Sequence, residues 1–146
     1  MHLVQQILEA TAVALQANAG LSAIIETNRV RSLSEDQAEL PAVTVNYGAD
    51  SPEEGDQENF GSALEMEFAA YCAGDSETEV LLNLIEMRTQ CHISVMAAFK
   101  AGSLPGVWDI AYGGADKPLV QQAERMSGAQ TCRWSARYRM DNDDPQ

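Results

Sequence analysis

The chain has 146 residues, 45% of them hydrophobic, the size and composition of one globular domain with one core. Nine basic residues stand against 22 acidic ones, a net charge of -13 and a pI near 4.3, which disfavours binding to nucleic-acid phosphates and to anionic membranes. Such a charge suits either a merely soluble surface or one past which DNA must slide without sticking.

The first predicted element is a helix. Leu3, Val4, Ile7, Leu8, Thr11 and Leu15 recur at three-and-four spacing and form one apolar stripe, with Gln5, Gln6, Glu9 and Gln16 on the other faces. Asn18 to Gly20 is a natural stop. Met1 to Ala19 lacks a basic leader region and no apolar run approaches the ~20 residues of a membrane span, so the expectation is a protein made and used in the cytosol. Ala23 to Ile25 is expected to add a turn, and Val30 to Leu33 is a weak strand candidate.

After the polar stretch Glu35 to Glu39, Leu40-Pro41 opens a strand over Ala42 to Tyr47, proline being tolerated at a strand's first position. Gly48 to Asn59 contains Asp50, Glu53, Glu54, Asp56 and Glu58 without apolar anchors, and is expected to be an exposed acidic loop. Phe60 to Ala73 shows the clearest alternation. Leu64, Met66, Phe68, Ala70 and Cys72 point one way, and Ala63, Glu65, Glu67, Ala69 and Tyr71 the other. The two runs read as an extended hairpin.

Ser76 and Glu79 form a capping box for a helix from about Glu77 to Lys100, with Asp75, Glu77 and Glu79 at the positive end of its dipole. Its expected inner stripe is Leu81, Leu84, Ile85, His92, Val95, Met96 and Phe99, interrupted by Arg88. Val107 to Tyr112 is a strand with Trp108, Ile110 and Tyr112 on one face, and Asp116 to Met126 is ambiguous. The last strand, Gln130 to Met140, turns Cys132, Trp134, Ala136, Tyr138 and Met140 inward and Arg133, Ser135, Arg137 and Arg139 outward. The order predicts an α+β fold: an antiparallel sheet of about four to five strands with two long helices packed on one face. Residues 1–140 are expected to form the domain, with 141–146 an acidic tail.

Catalytic chemistry is hard to find. No phosphate-cradling glycine loop is present. His92 lies on an apolar stripe, where a satisfied core histidine is the ordinary explanation. Cys91 precedes it directly, but successive helical residues diverge by about 100° and do not share a proton. The three cysteines, Cys72, Cys91 and Cys132, are too far apart for paired zinc ligands and fall at core positions. The acidic loop lacks the calcium-loop ligand pattern and reads as a solvated charge run. Glu65 and Glu67 share one strand face, more often an exposed polar face than an acid–base pair. The expectation is a protein that is not an enzyme and uses no metal or cofactor.

One constellation stands out. Arg133, Arg137 and Arg139 place three of the nine basic residues on one strand face, opposite in sign to the Glu65/Glu67 face. Neighbouring strands would make these cross-strand pairs. Strands apart would instead make complementary patches for head-to-tail association into a ring.

The layout of helix, strand Leu40-Pro41-Ala42-Val43-Thr44-Val45, acidic hairpin, strand, long capped helix and final strands resembles the tail terminator proteins of lambda-type long-tailed bacteriophages, over nearly the whole chain. The resemblance implies a structural virion protein, assembled in the host cytoplasm and located in the virion tail. It implies a hexameric ring that caps the tail tube, stops its polymerisation and offers a head-joining surface. The implied partners are other copies of the chain, the tail tube protein and a head-completion or neck protein, with DNA passing through the lumen unbound and no membrane. Asp50, Glu53, Glu54, Asp56, Glu58, Glu65, Glu67, Arg133, Arg137 and Arg139 are then candidate subunit contacts. Alternatives are a related neck or tail-completion protein and, from another class, an acidic adaptor that mimics DNA.

Overall fold

A computed structural model describes residues 3–21, 23–27, 41–53, 59–122 and 125–141. Its first element, α1 (Leu3–Gln16), forms where the apolar periodicity is strongest, and it buries Leu3, Val4, Ile7, Leu8, Thr11, Ala12 and Leu15. Thr11 sits in this buried arc without penalty because its hydroxyl donates to the Ile7 carbonyl at 2.8 Å. Past the helix, the Asn18 side-chain amide lies 3.2 Å from the Gln90 carbonyl and 2.9 Å from Ser94 Oγ, tying α1 to the second helix.

The chain continues as β1 (Ile24–Thr27), β2 (Ala42–Glu53), β3 (Asn59–Gly74), α2 (Glu77–Lys100), β4 (Val107–Ala115), β5 (Leu119–Gln122) and β6 (Met126–Asp141). The six strands form one sheet in the order β1-β2-β3-β6-β4, with β5 also pairing β6. β6 is the hub: it pairs with β3 along its length, while its other edge takes β5 over residues 126–129 and β4 over residues 132–138. α1 packs on β1, β2 and α2, and α2 packs on β3, β6 and α1, so both helices cover one face.

The fold is α+β as expected, with corrections. The sheet is mixed, because β1 runs parallel to β2 with Ile24 opposite Ala42. The segment expected as a turn at Ala23 to Ile25 is therefore a strand start, since β2 offers its edge and β-branched Ile24-Ile25 accepts it. The loop expected over Gly48 to Asn59 is strand as far as Glu53, with Glu53 opposite Gly61. The strand expected at Val30 to Leu33, like Glu54, Asp56 and Glu58, lies outside the described residues.

The capping box holds α2's start. Ser76 Oγ accepts from the Glu79 N–H at 3.1 Å, and Glu79 Oε2 accepts in return from the Asp75 N–H at 2.9 Å. At the other end Gly102 (φ 71°) lets Ser103 N–H reach the Ala98 carbonyl at 2.9 Å. Where α2 crosses β6 the sheet needs a residue without a side chain: a Cβ on Gly128 would lie 2.5 Å from Val80 Cγ1.

The core joins Ile7, Leu8 and Leu15 of α1 and Val43 and Val45 of β2 to Leu64, Met66 and Phe68 of β3. Val80, Leu84 and Val95 of α2 and Trp134, Ala136 and Tyr138 of β6 complete it. Cys72, Cys91 and Cys132 are all buried and free.

α2 departs most from expectation. Its buried arc is Val80, Leu84, Met87, Cys91, Ser94, Val95 and Ala98. Ile85 is 48% exposed, and His92 is an exposed residue whose ring packs 4.7 Å from that of buried Trp134. The sequence stripe mixed residues from two apolar faces of one helix, because apolar side chains sit on both.

Candidate assembly surface

The strand alternation that buries Leu64, Met66 and Phe68 sends Glu65 and Glu67 to the opposite face, where neither helix lies. β3 and β6 are direct neighbours, with Glu67 opposite Arg133 and Glu65 opposite Ser135. Arg133 accordingly forms the cross-strand pairs expected of neighbouring strands. Its Nε lies 3.4 Å from Glu67 Oε1 and 3.7 Å from Glu65 Oε1.

The strongest partner was not among the sequence candidates. Asp116 receives Arg133 Nη1 at 2.7 Å and Nη2 at 3.0 Å, a two-pronged bond of the kind that fixes geometry as well as charge. The Asp116 N–H donates to the Thr131 carbonyl at 2.8 Å and anchors this carboxylate beside β6. The hydrogen bond from Arg133 holds the Asp116 carboxyl below the usual carboxylate range and raises the guanidinium's own affinity for its proton. The register shift between Tyr112 and Gly114, with φ 94° at Gly114, is what brings the strand end within reach. No sequence pattern marks a bulge partner of this kind.

A second group lies nearer the other end of the same face. A register shift between Val107 and Asp109 turns Trp108 away from the helices, so the expected Trp108–Ile110–Tyr112 face is split. Ile110 packs against the core, whereas Trp108 is 45% exposed. The guanidinium of Arg139 lies 4.8 Å and that of Arg137 5.6 Å from the indole centre, with Arg137 also 3.8 Å from Asp109. Arg137 and Arg139 are opposite Ala63 and Gly61, near the far end of the β2–β3 hairpin.

Asp50 has a different place from the one expected. The shift between Tyr47 and Asp50 puts Asp50 opposite Leu64, the position that regular alternation would give to residue 49. Its carboxylate therefore meets the Tyr138 hydroxyl, which donates to it at 2.9–3.0 Å. Burial first, and the Asp50 bond second, push the Tyr138 hydroxyl up to about 12.

The remaining chemical candidates are spoken for. Burial pushes the Cys91 thiol up to about 12 and those of Cys72 and Cys132 to about 11, which makes all three poor nucleophiles. Cys91 faces the core and His92 faces out, so they form no pair. Among the described residues no group of three or more His, Cys, Asp or Glu could hold a metal ion, and no helix is long and apolar enough to cross a membrane. An open groove of about 390 Å³ between α2 and β4 is lined by Arg88, Thr89, His92, Ile93 and Tyr112. On α2, Leu82, Ile85 and Ile93 are 61%, 48% and 51% exposed.

No protein-family model and no curated protein matches the chain. Among solved structures, a chain of the "Virion of native gene transfer agent (GTA) particle" is similar, covering 94% of this chain and 98% of that one at 12% identity and a TM-score of 0.49. A likeness of that size concerns the course of the backbone and carries no residue role across.

Proposed function

We propose that the chain is a structural subunit of a virion tail, a tail terminator whose copies form a ring, hexameric in the resembled family, on the end of the tail tube. In this reading the ring stops tube growth, presents a surface to a head-completion or neck protein, and passes DNA through its lumen without binding it. The observation that supports it best is a juxtaposition at one end of the sheet. An exposed Trp108 stacked with Arg137 and Arg139 lies near the tip end of a hairpin whose connecting sequence carries Glu53, Glu54, Asp56 and Glu58. Two surfaces of opposite sign on one chain are what head-to-tail closure uses, and tryptophan with arginine is the composition of interface hot spots.

Within this reading the candidate contacts are not equivalent. Arg133, Glu65 and Glu67 are engaged with one another, and Asp50 with Tyr138, while Arg137 and Arg139 flank the exposed Trp108. Arg137, Arg139 and the hairpin acids are the proposed subunit contacts. Co-expression with the tail tube protein of the same element, followed by negative-stain microscopy, tests the reading. Short tubes ending in a distinct ring are expected. Long uncapped tubes identical to the control would refute the terminator role and favour a neck protein or an acidic adaptor. Charge reversal of Arg137 and Arg139 to Glu is expected to abolish capping while the far-ultraviolet dichroism of the subunit stays unchanged.

A further inference from the structure

The sheet has an uncovered flank. β6 pairs with β3 on one edge and β4 on the other, and among the described residues no strand pairs with the far edge of β4. Ala111, Tyr112 and Gly113 are consecutively exposed, so this part of the edge lies open to water. Alternate backbone N–H and C=O groups point outward from such an edge and template one more strand.

The groove beside that edge is unevenly equipped. It runs between β4 and α2 with a volume of about 390 Å³, lined by Arg88, Thr89, His92, Ile93 and Tyr112. Its aromatic wall is fixed: the His92 and Tyr112 rings pack 4.7 Å and 5.3 Å from that of buried Trp134. The Thr89 hydroxyl is used, donating to the Ile85 carbonyl at 3.0 Å. Arg88 is different. Arg125, Arg133 and Arg137 each meet an aspartate at 2.7–3.8 Å, whereas half-buried Arg88 pairs with no carboxylate among the described residues. Glu86, on the same helix, already accepts from the Gln90 side chain at 2.8 Å. In a chain with 22 acidic residues against nine basic ones, a guanidinium left over in a groove marks where a carboxylate from elsewhere gains a charge-assisted bond.

We infer that the free edge of β4 and the groove beside it form a strand-addition site, which takes an extended segment of a partner protein carrying a glutamate between apolar residues. An added strand lies about 4.8 Å from β4 and turns every second side chain to the helix side. There Tyr112 and Ile93 receive an apolar residue, and Arg88 receives the carboxylate two positions along. Main-chain hydrogen bonds supply affinity and the alternate side chains supply choice. A second copy's β4 does not meet the requirement, because its helix-side residues, Ile110 and Tyr112, bring no carboxylate. The inference goes beyond the terminator reading and holds for the isolated chain, whether or not copies close into a ring.

The probe is a capped synthetic peptide, Thr-Val-Thr-Glu-Thr-Val-Thr, titrated into the full chain by calorimetry. Saturable binding is expected, with slower hydrogen exchange at Ala111, Tyr112 and Gly113. Glutamine in place of the peptide's glutamate should weaken binding about tenfold. With Arg88→Met, checked for unchanged dichroism, the two peptides should bind alike, which ties the preference to that guanidinium. N-methylation of one alternate set of peptide amides should abolish binding, and methylation of the other set should leave it intact. No saturable binding at ~1 mM peptide overturns the inference. So does tolerance of both methylation patterns, or an Arg88→Met variant that still prefers the glutamate peptide. Slowing of the same three amides with protein concentration alone would place a second copy on the edge and overturn it too.

Discussion

The two faces of the sheet are built from the same strands and held by different physics. On the helix side, Leu64, Met66, Phe68, Trp134, Ala136 and Tyr138 are at most 2% exposed and cohere by removal of apolar surface from water. On the other side, Glu65, Glu67, Asp109 and Asp116 meet Arg133 and Arg137 across strand boundaries at 2.7–3.8 Å. Carboxylates and guanidinium groups nearly balance there, so the strong acidity of the chain lies elsewhere, in the first turn of α2 and in the sequences of the hairpin tip and tail. The lesson is one of magnitude. Apolar burial on one face supplies the stability, and half-exposed ion pairs on the other set register and orientation at little energetic gain.

The largest expected effect tests the covered face. Phe68→Ala should cost about 3–5 kcal/mol and lower Tm on the order of 10 °C in thermal melts, because a large side chain 1% exposed leaves a cavity that its neighbours cannot close. Gly128→Ala should cost about 1–3 kcal/mol by the same measurement, since the new methyl would meet Val80 Cγ1 at 2.5 Å and move α2 off the sheet. A Gly128→Ala protein as stable as wild type would show that the helix layer yields easily, and would weaken the contrast between the faces.

Tyr138→Phe removes one hydroxyl at the margin of the core and should cost about 1 kcal/mol in urea titration. It also has a pH signature. The folded Tyr138 hydroxyl titrates near 12 against 10 for a free tyrosine, so its contribution is complete below pH 10 and is lost as pH rises towards 12. The phenylalanine variant should therefore lose less stability than wild type between those values.

The open face should respond least. Arg133→Met is expected to cost about 1 kcal/mol or less at neutral pH, with the difference shrinking in high salt. The Asp116 carboxyl is held low by Arg133, so its stabilising contribution is present above the ordinary carboxylate pKa and fades as pH falls through its lowered value. Wild type and variant should accordingly converge in stability in acid. A cost for Arg133→Met rivalling that of Phe68→Ala would overturn the ranking of the two faces.

Much of this architecture was legible in the sequence. The stripe of α1, the Ser76/Glu79 cap, the inward set Leu64 to Cys72 and the outward arginines of β6 all stand where local pattern puts them, because helix and strand periodicity are properties of consecutive residues. The same pattern could place Glu67 and Arg133 on faces of their strands but not say that the strands were neighbours. Three things were decided only when the chain folded. The inward arc of α2 was ambiguous because the helix is apolar on two sides, and the sheet chose one. The direction of Trp108 was reversed, and that of Asp50, expected in a loop, was set, by register shifts, since one inserted residue exchanges the faces of a strand and the insertion is set by distant pairing partners. The parallel pairing of β1 with β2 needed an available strand edge, which the β-branched residues of Ile24 to Thr27 do not specify by themselves. Periodicity is local and was readable; strand adjacency, bulge position and the choice between two apolar faces are collective, and only the tertiary structure could settle them.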